Sequence, residues 1–153
     1  MSGSDCQLPF VNCQLFIAMK TAGYSGTPLA RKLGIKETFK IKLINTPEYY
    51  FNLFSDFPKN VITASKSKID FIHYFSKNKA ALSKDIPALK KQMASDGMIW
   101  VSWYKKSAKI PTDITEDVVR EVALRNGLVD IKVCAIDEVW SGLKLVIPVK
   151  DRN

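Results

Sequence analysis

Polar or aromatic side chains follow three apolar runs of this chain, and lysines accompany them at two of these three points. The residues are Asn45 and Thr46; Ser76 and Lys77; and Trp103, Lys105 and Lys106. If the apolar runs are parallel strands, their carboxyl ends meet at one edge of a sheet, where such sheets bind ligands. We therefore predict a site for a small anionic metabolite, or for an acidic group of a protein partner, at this strand-end rim. The alternative is that these residues are ordinary polar strand ends.

A second candidate site lies in the glycine-containing segment before residue 28. The backbone N–H groups of Tyr24, Ser25, Gly26 and Thr27 could form an anion-binding nest, with Arg31 following. The alternative, which we favour, is a tight turn that docks a short helix over one edge of the sheet.

The residues with catalytic potential are few. His73 is the single histidine and lies three positions from Asp70. Residues three apart on a strand face opposite sides, so these two do not pair, and a structural histidine is favoured. Cys6, Cys13 and Cys134 have neither a metal-binding spacing nor a nearby base. We predict no catalytic residue, no metal and no cofactor, and enzymatic activity is not favoured.

The charge of the chain is unevenly distributed. The net charge is +8, and residues 20–109 carry 17 Lys and Arg against 6 Asp and Glu. Nucleic-acid binding through this basic half is an alternative function, but it is less favoured because no more than two basic residues are adjacent. No apolar stretch approaches the roughly 18 residues of a membrane span, and few cysteines suit a reducing cytoplasm.

The apolar pattern predicts alternating strands and helices. Strands are predicted at 39–44, 61–63, 69–75, 98–104, 128–135 and 143–147. Helices are predicted after four candidate caps, which are Thr27 with Pro28 at the first helical position, Thr46, Ser76 and the capping box 113–116. The inner face of the last of these helices is predicted to be Ile114, Val118 and Val122. Pro87 is expected to break or kink the helix that follows Ser76. This helical segment is predicted to end at Asp96-Gly97.

These elements predict an α/β fold: a small Rossmann-like, doubly wound, mostly parallel sheet with a C-terminal antiparallel hairpin. The last connection is too short for a parallel crossover, and Pro148 predicts that the last strand is an edge. Residues 1–18 have no helical or strand period and are expected to be a disordered or loosely attached tail. Residues 19–153 are expected to form one domain.

Three motifs resemble a family of small bacterial proteins known only as a domain of unknown function. They are residues 23–35, with Gly-Tyr-Ser-Gly-Thr-Pro-Leu-Ala and Lys-Leu-Gly-Ile; residues 100–103, Trp-Val-Ser-Trp; and residues 127–143, from Gly-Leu-Val-Asp to Trp-Ser-Gly-Leu. The resemblance implies a bacterial source and a domain start at Met19. It implies no activity.

The order of elements after residue 69 is similar to the C-terminal half of class I S-adenosylmethionine-dependent methyltransferases. Those enzymes have a glycine-rich turn after their first strand and an acidic residue after their second. Here the corresponding segments, 45–48 and 61–65, have neither. The sequence alone therefore favours a non-enzymatic binding or regulatory module of a bacterial cytoplasm, with a divergent methyltransferase-like enzyme as the alternative.

Overall fold

The computed structural model describes residues 28–55, 57, 58 and 62–152. Its helices are α1 (Leu29–Leu33), α2 (Lys79–Gln92) and α3 (Glu116–Arg125). Its strands are β1 (Ile41–Ile44), β2 (Ile69–Phe75), β3 (Met93–Tyr104), β4 (Val129–Ala135) and β5 (Trp140–Val146). Short 3-10 turns lie at Tyr50–Leu53, Lys106–Ala108 and Val149–Asp151.

The five strands form one sheet in the order β1-β2-β3-β5-β4. β1, β2 and β3 are parallel to one another, and β5 runs antiparallel to both β3 and β4. Four of the five strands therefore point the same way, which confirms the predicted fold class. The expectation that the last strand is an edge is wrong. β5 lies between β3 and β4, and Pro148 comes after its last paired residue, so it removes no hydrogen bond from the sheet.

Each face of the sheet is buried under helical elements because the central strands alternate between two apolar faces. Ile72 and Tyr74 of β2 point towards α2 and α3, whereas Phe71 and Phe75 point towards α1 and the Tyr50–Leu53 turn. This double coverage is why apolar residues predominate on both faces of β2 and in the second half of β3. The sheet is thus the middle layer of three.

Helix α1 covers the second face and depends on packing. It has only five residues, so hydrogen bonding within it cannot stabilise it alone. Leu33 is fully buried, and the indole Nε1 of Trp100 donates a 2.9 Å hydrogen bond to the carbonyl of Leu33. Gly34 ends the helix at φ 81°, as predicted. Pro28 occupies the N-cap position rather than the first helical position, and Thr27 lies outside the described residues.

Three predictions around α2 are wrong. Asn78, not Ser76, caps the helix, and its side-chain oxygen accepts a hydrogen bond from the Ala81 N–H at 2.8 Å. The helix continues through Pro87, because Ile86 and Leu89 remain packed on the sheet at the cost of one backbone hydrogen bond. The helix also ends at Gln92 rather than near residue 96, since β3 already begins at Met93.

The segment after β1 is less regular than predicted. No α-helix begins at Thr46. A 3-10 turn starts at Tyr50 instead, with Tyr49 at its N-cap position and no side-chain cap. Of the predicted strand at 61–63, residue 61 lies outside the described residues, and Ile62 forms a single parallel bridge with Ile41. The described residues of this connection are therefore less regular than the helix and strand that the sequence predicted.

The predicted capping box 113–116 is wrong, because the cap of α3 is Thr115, two residues after the first position of the box, and the Asp113 carboxylate bonds the Lys79 N–H instead. Thr115 accepts a hydrogen bond from the Val118 N–H, and Gly127 follows the helix at φ 73°. The buried face differs from the prediction, because Val119 and Ala123 are buried whereas Val118 is only half-buried. None of the described helices is long and apolar enough to cross a bilayer.

Candidate functional site

The turn after β1 contains a residue with a left-handed backbone. Asn45 has φ 58°, and its side-chain N–H donates a 3.3 Å hydrogen bond to the carbonyl of Phe75. Asparagine tolerates this conformation better than most residues other than glycine. Asn45 therefore turns the chain sharply and links the carboxyl ends of β1 and β2.

Ser76 lies directly after β2, at the centre of the strand-end rim. Its N–H donates a 2.8 Å hydrogen bond to the carbonyl of Ser102, which extends the pairing of β2 with β3. The residue is fully buried, and its Oγ is the buried side-chain polar atom for which the described residues supply no hydrogen-bond partner. An unpaired buried hydroxyl costs about 1–3 kcal/mol. Such a hydroxyl is free to bond an ordered water or a ligand.

The helix N-termini that the sequence predicts at Thr46 and Ser76 do not contribute positive charge to an anion site. Thr46 begins no α-helix, and Ser76 does not cap α2. The amino end of α2 is already occupied by the protein's own groups, because the Asp113 carboxylate accepts a hydrogen bond from the Lys79 N–H at 2.8 Å. The helix termini therefore offer no open anion site at these two positions.

A cavity of about 620 Å³ lies at the end of β3, between the loop that follows it and the start of α3. Of the predicted rim residues, Trp103, Lys105 and Lys106 line it. The others, Asn45, Thr46, Ser76 and Lys77, do not. The structure thus divides the predicted site into two groups: one at the ends of β1 and β2, which we call the turn site, and one in this cavity.

The two groups are neighbours. Ser76 of the turn site is hydrogen-bonded to the backbone of Ser102, and the next residue, Trp103, forms a wall of the cavity. Adjacent strands lie about 4.8 Å apart. A ligand at the turn site and a second ligand in the cavity would therefore occupy adjacent strand ends.

His73 belongs to a buried hydrogen-bond chain rather than to either group. Its Nδ1 is 2.9 Å from the Tyr50 hydroxyl, and its Nε2 is 2.7 Å from the Ser102 hydroxyl. Burial lowers the pKa of His73 to about 3 and raises the pKa of Tyr50. Asp70 faces elsewhere and accepts a hydrogen bond from the Lys40 N–H. The imidazole is thus a neutral structural group with both nitrogens bonded.

An aromatic cluster beside the turn site was not predicted from the sequence. Tyr104 stacks on Trp140 with ring centroids 4.2 Å apart, and the Trp140 indole donates to the Tyr49 hydroxyl at 3.0 Å. Burial and the nearby Asp137 carboxylate raise the pKa of Tyr49 to about 12, so the phenol stays protonated. No periodic pattern links these residues, since they come from three separate segments.

Other candidate groups add little to these two sites. Of the predicted nest, Tyr24, Ser25, Gly26 and Thr27 lie outside the described residues, and Arg31 is exposed on α1. Cys134 is a buried free thiol. Within the part of the chain that the structure describes, no group of three or more His, Cys, Asp or Glu side chains could hold a metal ion.

The structure was compared with known proteins. No protein-family model matches the chain, and no curated protein matches it. Among solved structures, it is similar to an S-adenosylmethionine-dependent methyltransferase from Aquifex aeolicus, with a TM-score of 0.56 and 14% identity over 78% of this chain and 88% of the other. It is also similar to a protein from Sulfolobus solfataricus assigned to the type 11 methyltransferases, with a TM-score of 0.55 and 12% identity over 82% and 92% of the two chains.

These similarities confirm the methyltransferase-like topology. The non-enzymatic binding module that the sequence favoured, and the expectation of no enzymatic activity, are contradicted, because both neighbours are methyltransferases. The sequence favours a non-enzymatic module because the turn at 45–48 has no glycine, although the order of elements resembles that of methyltransferases. The resemblance to a bacterial domain of unknown function stays a prediction.

Proposed function

We propose that this protein is a divergent methyltransferase that binds S-adenosylmethionine at the turn site. The observation that carries the proposal is the sheet itself, with three parallel strands followed by an antiparallel strand inserted before the edge. The two methyltransferases to which the chain is similar share this fold, with TM-scores of 0.56 and 0.55. S-adenosylmethionine supplies a methyl group that is bonded to a positively charged sulfur. When an acceptor's lone pair forms a bond to the methyl carbon, the carbon–sulfur bond breaks and the sulfur becomes a neutral thioether.

Two features of the turn site fit such a ligand. Methyltransferases of this class place glycine after the first strand, where the backbone comes close to the cofactor, and Asn45 at φ 58° makes a glycine-like turn at the equivalent position. The unpaired hydroxyl of Ser76 is a ready hydrogen-bond partner at the end of the next strand. The Asn45 turn and the Ser76 hydroxyl would hold and orient the ligand, and neither would take part in the reaction.

Two features reduce the expected affinity. The turn after β1 contains Pro47 and no glycine, so the backbone offers one N–H fewer to a carboxylate or ribose. The described residues that follow the Ile62 bridge, 63–65, include no carboxylate for the ribose hydroxyls. We therefore expect a dissociation constant for S-adenosylmethionine on the order of 10–100 µM, weaker than that of a site with both features.

Isothermal titration calorimetry with S-adenosylmethionine and S-adenosylhomocysteine tests this proposal. We expect binding of both, and Ser76→Ala should weaken it by about fivefold because it removes one hydrogen bond. The same variant should leave the unfolding free energy of the free protein unchanged or raise it, since the lost hydroxyl has no partner.

Ser102→Ala is the matched control. It removes another buried serine hydroxyl, but one that is bonded to His73, so it should destabilise the fold while leaving affinity for S-adenosylmethionine unchanged. Absence of binding at millimolar ligand would contradict the proposal. Equal affinity of wild type and Ser76→Ala would remove Ser76 from the site.

A further inference from the structure

We propose that the cavity at the end of β3 binds a small organic acid with an apolar body, and that this acid is the acceptor for methyl transfer. The acceptor role rests on the proposed function, whereas the binding of the acid does not. Two lysines without ion-pair partners in the described part of the chain, an apolar wall and a position beside Ser76 support this assignment of the cavity.

The charged side chains that line the cavity are two lysines, Lys105 and Lys106, and two carboxylates, Glu116 and Asp117. The guanidinium of Arg120 bonds both carboxylates, through Nη2 and Nη1, and it also bonds Asp130 through Nε. Neither lysine forms an ion pair within the described part of the chain. Lys105 and Lys106 are therefore lining cations without a bonded counter-ion, and they are the groups that would bind an anionic guest.

The opposite wall of the cavity is apolar and partly open. Trp103 and Ile114 are buried beneath it, while Ile110 keeps 40% of its surface exposed next to the exposed ring of Pro111. Covering exposed apolar side chains with a ligand removes them from water, which favours binding. A guest that satisfies both walls has a carboxylate at one end and a ring or short hydrocarbon body at the other.

The size and position of the cavity suit an acceptor. A volume of about 620 Å³ is within the usual range of small-molecule sites. The wall residue Trp103 follows Ser102, whose carbonyl accepts the hydrogen bond from the Ser76 N–H. An acid held in the cavity would therefore lie at the strand end next to the turn site, where the methyl donor is proposed to bind.

Three probes separate the contributions of charge and apolar contact. Benzoate has both features, benzamide keeps the ring without the charge, and acetate keeps the charge without the ring. We expect benzoate to quench tryptophan fluorescence with millimolar affinity, and the other two probes to bind at least about tenfold more weakly. Equal binding of benzoate and acetate, or of benzoate and benzamide, would overturn the inference.

Lysine variants locate the binding site. Lys105→Gln combined with Lys106→Gln should weaken benzoate binding by about tenfold. Lys109→Gln is the matched control, because Lys109 lies on the same loop but does not line the cavity, and it should change benzoate affinity by less than about twofold. Loss of affinity in the control, or none in the double variant, would place benzoate elsewhere.

Repeating the benzoate titration with saturating S-adenosylmethionine separates this inference from the proposed function. Simultaneous binding of the two ligands supports both. Competition between them would overturn the separate acceptor site while leaving cofactor binding intact. Benzoate binding by a protein that does not bind S-adenosylmethionine would keep the acid site but overturn the acceptor role.

Discussion

Three polar residues are buried in the described part of the chain, and the side chains of His73 and Ser102 are hydrogen-bonded whereas that of Ser76 is not. His73 has a partner on each ring nitrogen, Tyr50 on one side and Ser102 on the other. A neutral imidazole has one donor and one acceptor, so two hydroxyl partners satisfy it completely. Ser76, three residues later, is equally buried and has an unpaired hydroxyl. This contrast assigns a structural role to His73 and makes Ser76 the better candidate for ligand contact.

The stability of the protein should depend on pH through His73. Its pKa falls from 6.5 in the unfolded chain to about 3 in the folded protein, so the unfolded state binds the proton first as pH decreases. The free energy of unfolding should therefore be highest above pH 6.5 and fall by about 2 kcal/mol between pH 7 and 5. Urea denaturation at several pH values measures this change.

His73→Gln is the control for this pH dependence. His73 is the single histidine of the chain, so the variant has no imidazole that titrates between pH 7 and 5. Its unfolding free energy should be nearly constant over that range. A similar slope in both proteins would show that other groups cause the effect.

At the scale of elements, close backbone packing explains why β3 begins earlier than expected. Met93 pairs with Ile69, the register then shifts, and regular pairing resumes between Met98 and Phe71. Gly97 lies inside this irregularity, where a Cβ atom would be 2.7 Å from the carbonyl oxygen of Ile69. A glycine in a strand often marks such an approach of two backbones. Asp96-Gly97 therefore lies within β3, where the glycine allows the two backbones to approach, and it does not end a helix.

Gly97→Ala should destabilise the fold by about 2–3 kcal/mol, because a backbone carbonyl cannot move aside as a side chain can. Gly34→Ala is the comparison. At that position φ is 81°, but the nearest atom is the flexible end of Met98 at 3.6 Å, so the cost should be about 1 kcal/mol, chiefly from the backbone conformation. Chemical denaturation of both variants measures the difference. A smaller cost for Gly97→Ala would contradict the close approach.

At the scale of the whole molecule, the insertion of β5 between β3 and β4 decides which strand is central and which is exposed. Leu143 of β5 is buried between two neighbours and under α3, with 1% exposure. Its partner in the register, Val133 of the edge strand β4, is 51% exposed. The two residues lie side by side in one sheet, yet only one of them is in the core.

Truncation of these two residues should therefore have different costs. Leu143→Ala should lower the free energy of unfolding by about 2–5 kcal/mol, because it leaves a cavity in the core. Val133→Ala should change it by less than about 1 kcal/mol, since the side chain is half in solvent. Equilibrium unfolding in urea tests the pair. Equal losses would contradict the strand order.

Much of the secondary structure was determined by local sequence. Nearly continuous apolar runs in 69–75 and 98–104 predict strands with two buried faces, and the structure confirms both. Thr115 and the glycines at 34 and 127 mark helix ends because their side chains, or the lack of one, suit these backbone positions. The short connection between β4 and β5 allows only antiparallel pairing. From these signals the fold class follows.

The site was decided by tertiary structure. Strand order is set by contacts between residues far apart in sequence, so the position of β5 could not be derived from Pro148. The choice of Asn78 over Ser76 as the cap leaves the Ser76 hydroxyl buried and unpaired. The pairing of Glu116 with Arg120 leaves Lys105 and Lys106 without a counter-charge in the cavity they line. The sequence could supply the residue types, but which polar groups remain free depends on which partners the fold brings to them.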